Sequence, residues 1–153
     1  MRNRAAASPV VACMSLIASA LFASAAMAAP STTPAAARAV VQRYYAALDR
    51  HDYRTAYRLW DRGGQASHQS YPQFVRGFAN TRRTRVVAGT PTQPEGAAGS
   101  TYIRVPVTVR ATLKNGTAQV FAGSYTLRHV NDIDGATTEQ RQWHLDSASL
   151  RRR

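Results

Sequence analysis

Residues 101–130, TYIRVPVTVRATLKNGTAQVFAGSYTLRHV, alternate apolar and polar side chains on either side of Lys114-Asn115-Gly116. A period of two reads as strands, and Asn-Gly between them reads as a hairpin turn. Two registers compete. A two-residue Asn-Gly turn pairs Val109 with Ala122 and Val105 with Thr126, which sends Phe121, Tyr125 and Leu127 to the face away from the valines. A three-residue loop, with Gly116 left-handed, pairs Val109 with Phe121, Val107 with Gly123, Val105 with Tyr125 and Ile103 with Leu127. A slip of one residue moves every side chain to the other face, so the hydrophobic match selects the three-residue loop. One face then carries Ile103, Val105, Val107, Val109, Phe121, Tyr125 and Leu127. The other carries Arg104, Pro106, Thr108, Arg110, Ser124, Thr126 and Arg128.

Period two extends in both directions and predicts strands over 82–88, 101–113, 117–130 and 141–150, with a Gly/Pro-rich loop at 89–100 and an acidic loop at 131–140. Ahead of residue 81 the period is helical. Thr33 is placed to cap a helix with Pro34 in its first position, and Ala37, Val41, Tyr44 and Leu48 form its apolar stripe. Asp52 caps a second helix whose aromatic face is Tyr53, Tyr57 and Trp60, ended by Gly63-Gly64. Ser70-x-x-Gln73 is a capping box for a third helix over about 71–79, with Phe74 and Phe78 on one side. The expected fold class is α+β: three N-terminal helices packed on a curved four-stranded antiparallel sheet.

That order of elements resembles the cystatin-like cone of the nuclear transport factor 2-like superfamily. The resemblance rests on AVVQRYYAALDRHDYRTAYRLW (39–60), SYPQFVRGFAN (70–80) and QWHLDSASL (142–150), and it extends over nearly all of the chain after residue 28. The opening resembles exported bacterial members of that superfamily that lack assigned chemistry. The resemblance implies a cone interior able to hold a small apolar ligand, walled here by Tyr44, Tyr57, Trp60, Phe74, Phe78, Val107, Tyr125 and Trp143. Isomerases and cyclases of the superfamily carry a base carboxylate on a hairpin between the second and third helices. Residues 61–69, DRGGQASHQ, are too short for that hairpin.

The residues themselves offer few catalytic constellations. Asp61 with His68 is the best acid–base candidate near a cone mouth. His51-Asp52 reads as a cap, and His144 with Asp146 as an exposed pair. Asp132, Asp134 and Glu139 resemble a calcium loop only in charge, because the glycine is misplaced and no glutamate follows at the twelfth position. No zinc-ligand spacing, nucleophile elbow or phosphate-binding glycine loop occurs, so no metal site and no cofactor is expected.

Residues 1–28, MRNRAAASPVVACMSLIASALFASAAMA, read as an export signal with Arg2 and Arg4 in the n-region and cleavage after Ala28. Periplasmic or secreted localisation follows. Val10-Val11-Ala12-Cys13 resembles a lipobox, but the residues before it make a poor h-region and Met14 to Ala28 after it stay apolar, so soluble export is favoured over a lipoprotein anchor at Cys13. The signal is followed by a leader at 29–33, a single domain at 34–150 and a basic tail at 151–153. Removal of residues 1–28 leaves 125 of the 153 and takes the only cysteine with it, which excludes disulfide and thiolate chemistry. Loss of Arg2 and Arg4 lowers the formal charge from +12 by two, to +10. Lys114 is the sole lysine, and arginine with abundant alanine is also what a GC-rich coding bias produces.

The expected function is that of a non-enzymatic periplasmic accessory or binding module. Such a module holds a small apolar ligand in the cone or docks on an envelope protein. An isomerase- or cyclase-type enzyme is the alternative. A polyanion-binding surface protein is the third reading, with Arg83, Arg85, Arg104 and Arg110 as the contact face for an anionic envelope component. No nucleic-acid partner and no transmembrane span is expected, and a homodimer is left open.

Overall fold

The computed structural model describes residues 32–153. The signal, its cleavage point and Cys13 therefore lie outside the described residues. Helix α1 spans Pro34–Asp49, α2 Tyr53–Arg58 and α3 Tyr71–Gly77. The strands are β1 Thr81–Ala88, β2 Glu95–Ala97, β3 Ser100–Leu113, β4 Ala118–Val130 and β5 His144–Arg152. The helices cap as their sequences require. Thr33 Oγ1 accepts the Ala36 N–H at 3.2 Å, and Asp52 Oδ1 accepts the Thr55 N–H at 3.1 Å. Gln73 Oε1 accepts the Ser70 N–H and hydroxyl, both at 2.8 Å.

The sheet is antiparallel in the order β1-β3-β4-β5, and β2 pairs with the start of β3. The central register is that of the three-residue loop: Val109 opposes Phe121, Val105 opposes Tyr125 and Ile103 opposes Leu127. Gly116 has φ +88°, a conformation that an L side chain resists. The Leu113 and Gly116 N–H groups close the turn on the Thr117 and Leu113 carbonyls. Ile103, Val105, Val107, Val109, Tyr125 and Leu127 are buried beneath α1, together with Val40, Val41, Tyr44, Tyr45 and Leu48. Gly123 lets β5 approach β4 closely, because a Cβ there would lie 1.9 Å from the Ser149 carbonyl oxygen.

Two features differ from the sequence expectation. The loop over 89–100 contains a fifth strand, β2, whose three residues are all exposed. It makes only a main-chain ladder, Glu95 to Tyr102 through Ala97 to Ser100, so no alternation marks it. The second helix ends at Arg58, and a short 3₁₀ segment follows over Arg62–Ser67, interrupted by Gly63 and Gly64 at positive φ. Between the two, the Leu145 N–H donates to the Leu59 carbonyl and the Asp61 N–H to the Leu145 carbonyl, both at 2.8 Å. This parallel bridge, Trp60 to Leu145, fastens the helical layer to the outer edge of β5.

The register generates a direct test. Tyr125 is 3% exposed and faces the core, so Tyr125→Ala should cost about 3–5 kcal/mol in chemical denaturation. Thr126→Ala, on the opposite face, should change the midpoint little. Gly123→Ala, which forces a methyl group against a neighbouring backbone, should destabilise by about 1–3 kcal/mol.

Candidate functional site

The Leu59–Leu145 bridge places Trp60 and Asp61 at two different openings. Trp60 lines a half-open cavity of about 500 Å³ between the 3₁₀ segment, α3 and β5. Its apolar wall is Tyr44, Trp60, Ala66, Phe74, Phe78 and Ala148. Its polar wall is Ser67, His68, Gln69 and Ser147. The aromatic rings meet edge to face, with Tyr44 6.0 Å from Trp60 and Phe74 5.1 Å from Phe78 between centroids. This is the geometry that ring quadrupoles favour.

Of the eight residues expected in the pocket, Tyr44, Trp60, Phe74 and Phe78 line this cavity. Tyr57 packs against Tyr71 and Phe74 and donates its hydroxyl to the Gln69 carbonyl at 2.7 Å, so it buttresses the rim. Val107 and Tyr125 belong to the buried core. Trp143 packs edge-on against the imidazole of His129 at 4.4 Å. Residues absent from that expectation, Ala66, Ser67, His68, Gln69, Gly77, Ser147 and Ala148, complete the wall. They are small or polar, and no hydrophobic period marks them.

The inner end of the cavity is backed by three buried phenols. Tyr45 and Tyr125 share a hydrogen bond of 2.8 Å between hydroxyls. Tyr44 lies edge-on to both, with centroids at 5.1 and 5.9 Å. Burial pushes all three phenols upward, foremost among the causes in each case. Charge repulsion from neighbouring phenols adds to it: Tyr125 acts on Tyr44, Tyr44 on Tyr45 and Tyr45 on Tyr125. The Trp60 indole N–H is buried without a hydrogen-bond acceptor of good geometry, and it acts on Tyr44 only as a minor opposing influence.

Asp61 and His68 do not share an opening. Asp61 lines a smaller cleft of about 270 Å³ with Arg62, Gly63, Arg128, Thr137, Glu139, Gln140 and His144. Its carboxylate accepts from Arg128 Nη1 at 2.8 Å and from the Arg62 N–H at 2.8 Å. His68, at φ +57°, is on the larger cavity, and its imidazole has no hydrogen-bond partner among the described residues. Asp61 is therefore committed to an ion pair, and the wall around His68 holds no carboxylate. Asp132 of the acidic loop pairs with Arg141 at 3.0 Å. Among the described residues no three His, Cys, Asp or Glu side chains converge as metal ligands, and no helix is long and apolar enough to cross a membrane.

The expected anionic-partner residues all lie exposed on strands. Arg83, Arg85 and Arg110 share the outer face of the sheet, and Arg85 and Arg110 are direct cross-strand partners. Arg83 is drawn toward Asp49 at 3.8 Å. Arg104 stands apart, beside Glu95 in a shallow groove with Tyr102 and Thr126.

The fold is an α+β cone, with three helices over an antiparallel sheet, of the kind the resemblance implies. The chain superposes on "Putative Scytalone Dehydratase" from Novosphingobium aromaticivorans with a TM-score of 0.56 at 15% identity, over 78% of this chain and 83% of that one. A conserved protein from Planctomyces limnophilus matches with a TM-score of 0.53 at 15% identity, over 77% and 95% of the two chains. A protein from Kribbella flavida matches with a TM-score of 0.54 at 14% identity, over 77% and 88%. At such identities the likeness concerns the fold. No protein-family model and no curated protein sequence matches the chain.

The buried phenols give a pH test with a definite sign. Their pKa is raised in the folded state above the ordinary 10.0. Their contribution to stability is thus complete below pH 10 and is lost as pH rises beyond it, when the unfolded chain ionises first. In an ultraviolet phenolate titration Tyr44, Tyr45 and Tyr125 should stay silent until alkaline unfolding. The Tyr45→Phe/Tyr125→Phe double variant should shrink that late step.

Proposed function

We propose that the protein is a non-enzymatic, exported module that holds a small, neutral and largely apolar molecule in its cone. The observation that carries this reading is the cavity of about 500 Å³ walled by Tyr44, Trp60, Phe74 and Phe78, with no carboxylate on its wall. That volume lies within the range of small-molecule sites. The aromatic walls would take the apolar body of the ligand, and His68, Gln69 and Ser147 at the polar wall would take its polar group. The signal-like residues 1–28 support release into the periplasm or medium, where such a module could pass its ligand to an envelope protein.

One observation favours a second reading. His68, whose imidazole has no hydrogen-bond partner among the described residues, lines the same cavity as Tyr44. An isomerase-type enzyme would use His68 to move a proton and the Tyr44 hydroxyl to steady a developing oxyanion. The structural neighbour whose printed name is a dehydratase is compatible with either reading.

The test uses the neutral solvatochromic dye Nile red as the probe. Saturable binding is expected, and Ala148→Trp, which fills the cavity wall, should weaken it at least about tenfold. Binding unchanged by Ala148→Trp would remove the cavity from the account. Native mass spectrometry of the purified protein should also show a retained small molecule. If that molecule turns over and His68→Gln stops turnover while leaving dye affinity intact, the assignment moves to the enzyme.

A further inference from the structure

Of the eighteen basic residues after residue 28, only a few are used by the fold. Arg83, Arg128 and Arg141 each have a carboxylate partner. Arg85, Arg110, Arg151 and Arg153 are exposed and have no ion pair among the described residues. The sheet register gathers these four. Arg85 opposes Arg110, Arg110 opposes Val120, and the Arg153 N–H donates to the Val120 carbonyl. The adjacent row runs Val87, Thr108, Ala122, Arg151. Like charges directly opposed across a strand pair destabilise a sheet, so Arg85 and Arg110 cost the fold stability. No carboxylate shares these two rows; Glu95 lies at the far end of the sheet opposite Tyr102, and Asp61 is held by Arg128.

We infer that this end of the outer sheet face docks on the surface of an anionic phospholipid bilayer. Guanidinium forks match phosphate oxygens in pairs, which suits four arginines spread over one face of the sheet. Thr108, Ala122 and Val120 are short enough to let a plane approach. Val87 is 70% exposed within this basic patch. An exposed valine gains nothing from a hydrated polyanion, but it enters the boundary between head groups and acyl chains. A second copy of the chain is a poor occupant, because it would bring arginine against arginine without carboxylates to answer them. The surface lies on the side of the sheet opposite the helices, so its test is independent of the cavity.

The experiment is co-sedimentation of the full chain with vesicles of phosphatidylcholine alone and of phosphatidylcholine with phosphatidylglycerol. Residues 1–28 are common to every variant, so their contribution cancels when variants are compared on the same vesicles. Added phosphatidylglycerol should raise binding, and salt should reverse the rise. Replacing Arg85, Arg110, Arg151 and Arg153 by glutamine should lower the partition coefficient at least about 100-fold. A charge-matched control, with Arg38, Arg43, Arg50 and Arg58 changed to glutamine, should bind nearly as the parent does. Those four are exposed on the helical layer. Val87→Ser should weaken vesicle binding several-fold and leave retention on soluble polyphosphate unaltered. Parent-like binding by the sheet-face variant would overturn the inference. So would equal loss in the control, which assigns the effect to net charge. Polyphosphate retention with no effect of Val87→Ser on vesicles would make the partner a soluble polyanion instead.

Discussion

Two backbone hydrogen bonds on either side of Trp60 hold the candidate site together. Through them, Leu59 and Asp61 treat Leu145 as a strand partner, and the segment after α2 becomes a stub of parallel strand on the edge of β5. This stub orients alternate side chains to opposite sides. Trp60 turns toward Tyr44 and Tyr125, at 6.0 Å from each ring, and forms part of the larger cavity wall. Asp61 turns toward Arg128, which also donates from Nε to the Ser100 hydroxyl at 3.1 Å. The ion pair thus fixes the stub against β4 and β3 from one side while the indole wedges it from the other. Without it the 3₁₀ segment would have no fixed position, and neither Ser67 nor His68 would be held at the cavity.

The backing of the cavity is polar chemistry confined within apolar packing. The Tyr45 and Tyr125 hydroxyls satisfy each other across 80 residues of chain. A buried hydroxyl without a partner costs far more than the bond itself returns, so the pair specifies one arrangement of α1 against β4. Tyr44, the preceding residue, packs edge-on against both rings and forms part of the cavity wall. Thr84 anchors the other end of α1: its N–H donates to Asp49 at 2.9 Å, which also occupies part of the open edge of β1.

Legibility in the sequence followed physical coupling. The β3–β4 register could be read because a one-residue slip would expose Phe121, Tyr125 and Leu127 together, a cost that the alternation makes visible. The three helices could be read from caps at Thr33, Asp52 and Ser70. Strand β2 could not, because Glu95, Gly96 and Ala97 contribute main chain alone. The 3₁₀ segment was hidden behind Gly63-Gly64, which look like a terminator and instead supply the positive φ that lets it turn. At the site, the aromatic half was legible as a helical stripe. His68 was legible as a residue near the cone mouth, but the rest of the polar half, Gln69 and Ser147, and the engagement of Asp61 by Arg128 from 67 residues away depend on tertiary closure that no local pattern encodes.

The bridge to Leu145 also sets an order of events. Trp60 and Leu145 are partners drawn from opposite ends of the domain, and β5 joins the sheet only through β4 and this stub. The β3–β4 hairpin is local and can zip as soon as it exists. A chain threaded through a narrow passage amino end first would leave Leu59 and Asp61 without their Leu145 hydrogen bonds until the final strand, residues 144–152, emerged behind them. Closure of the stub would therefore be a late step. Any factor that recognises the unpaired stub would have the whole passage time in which to act.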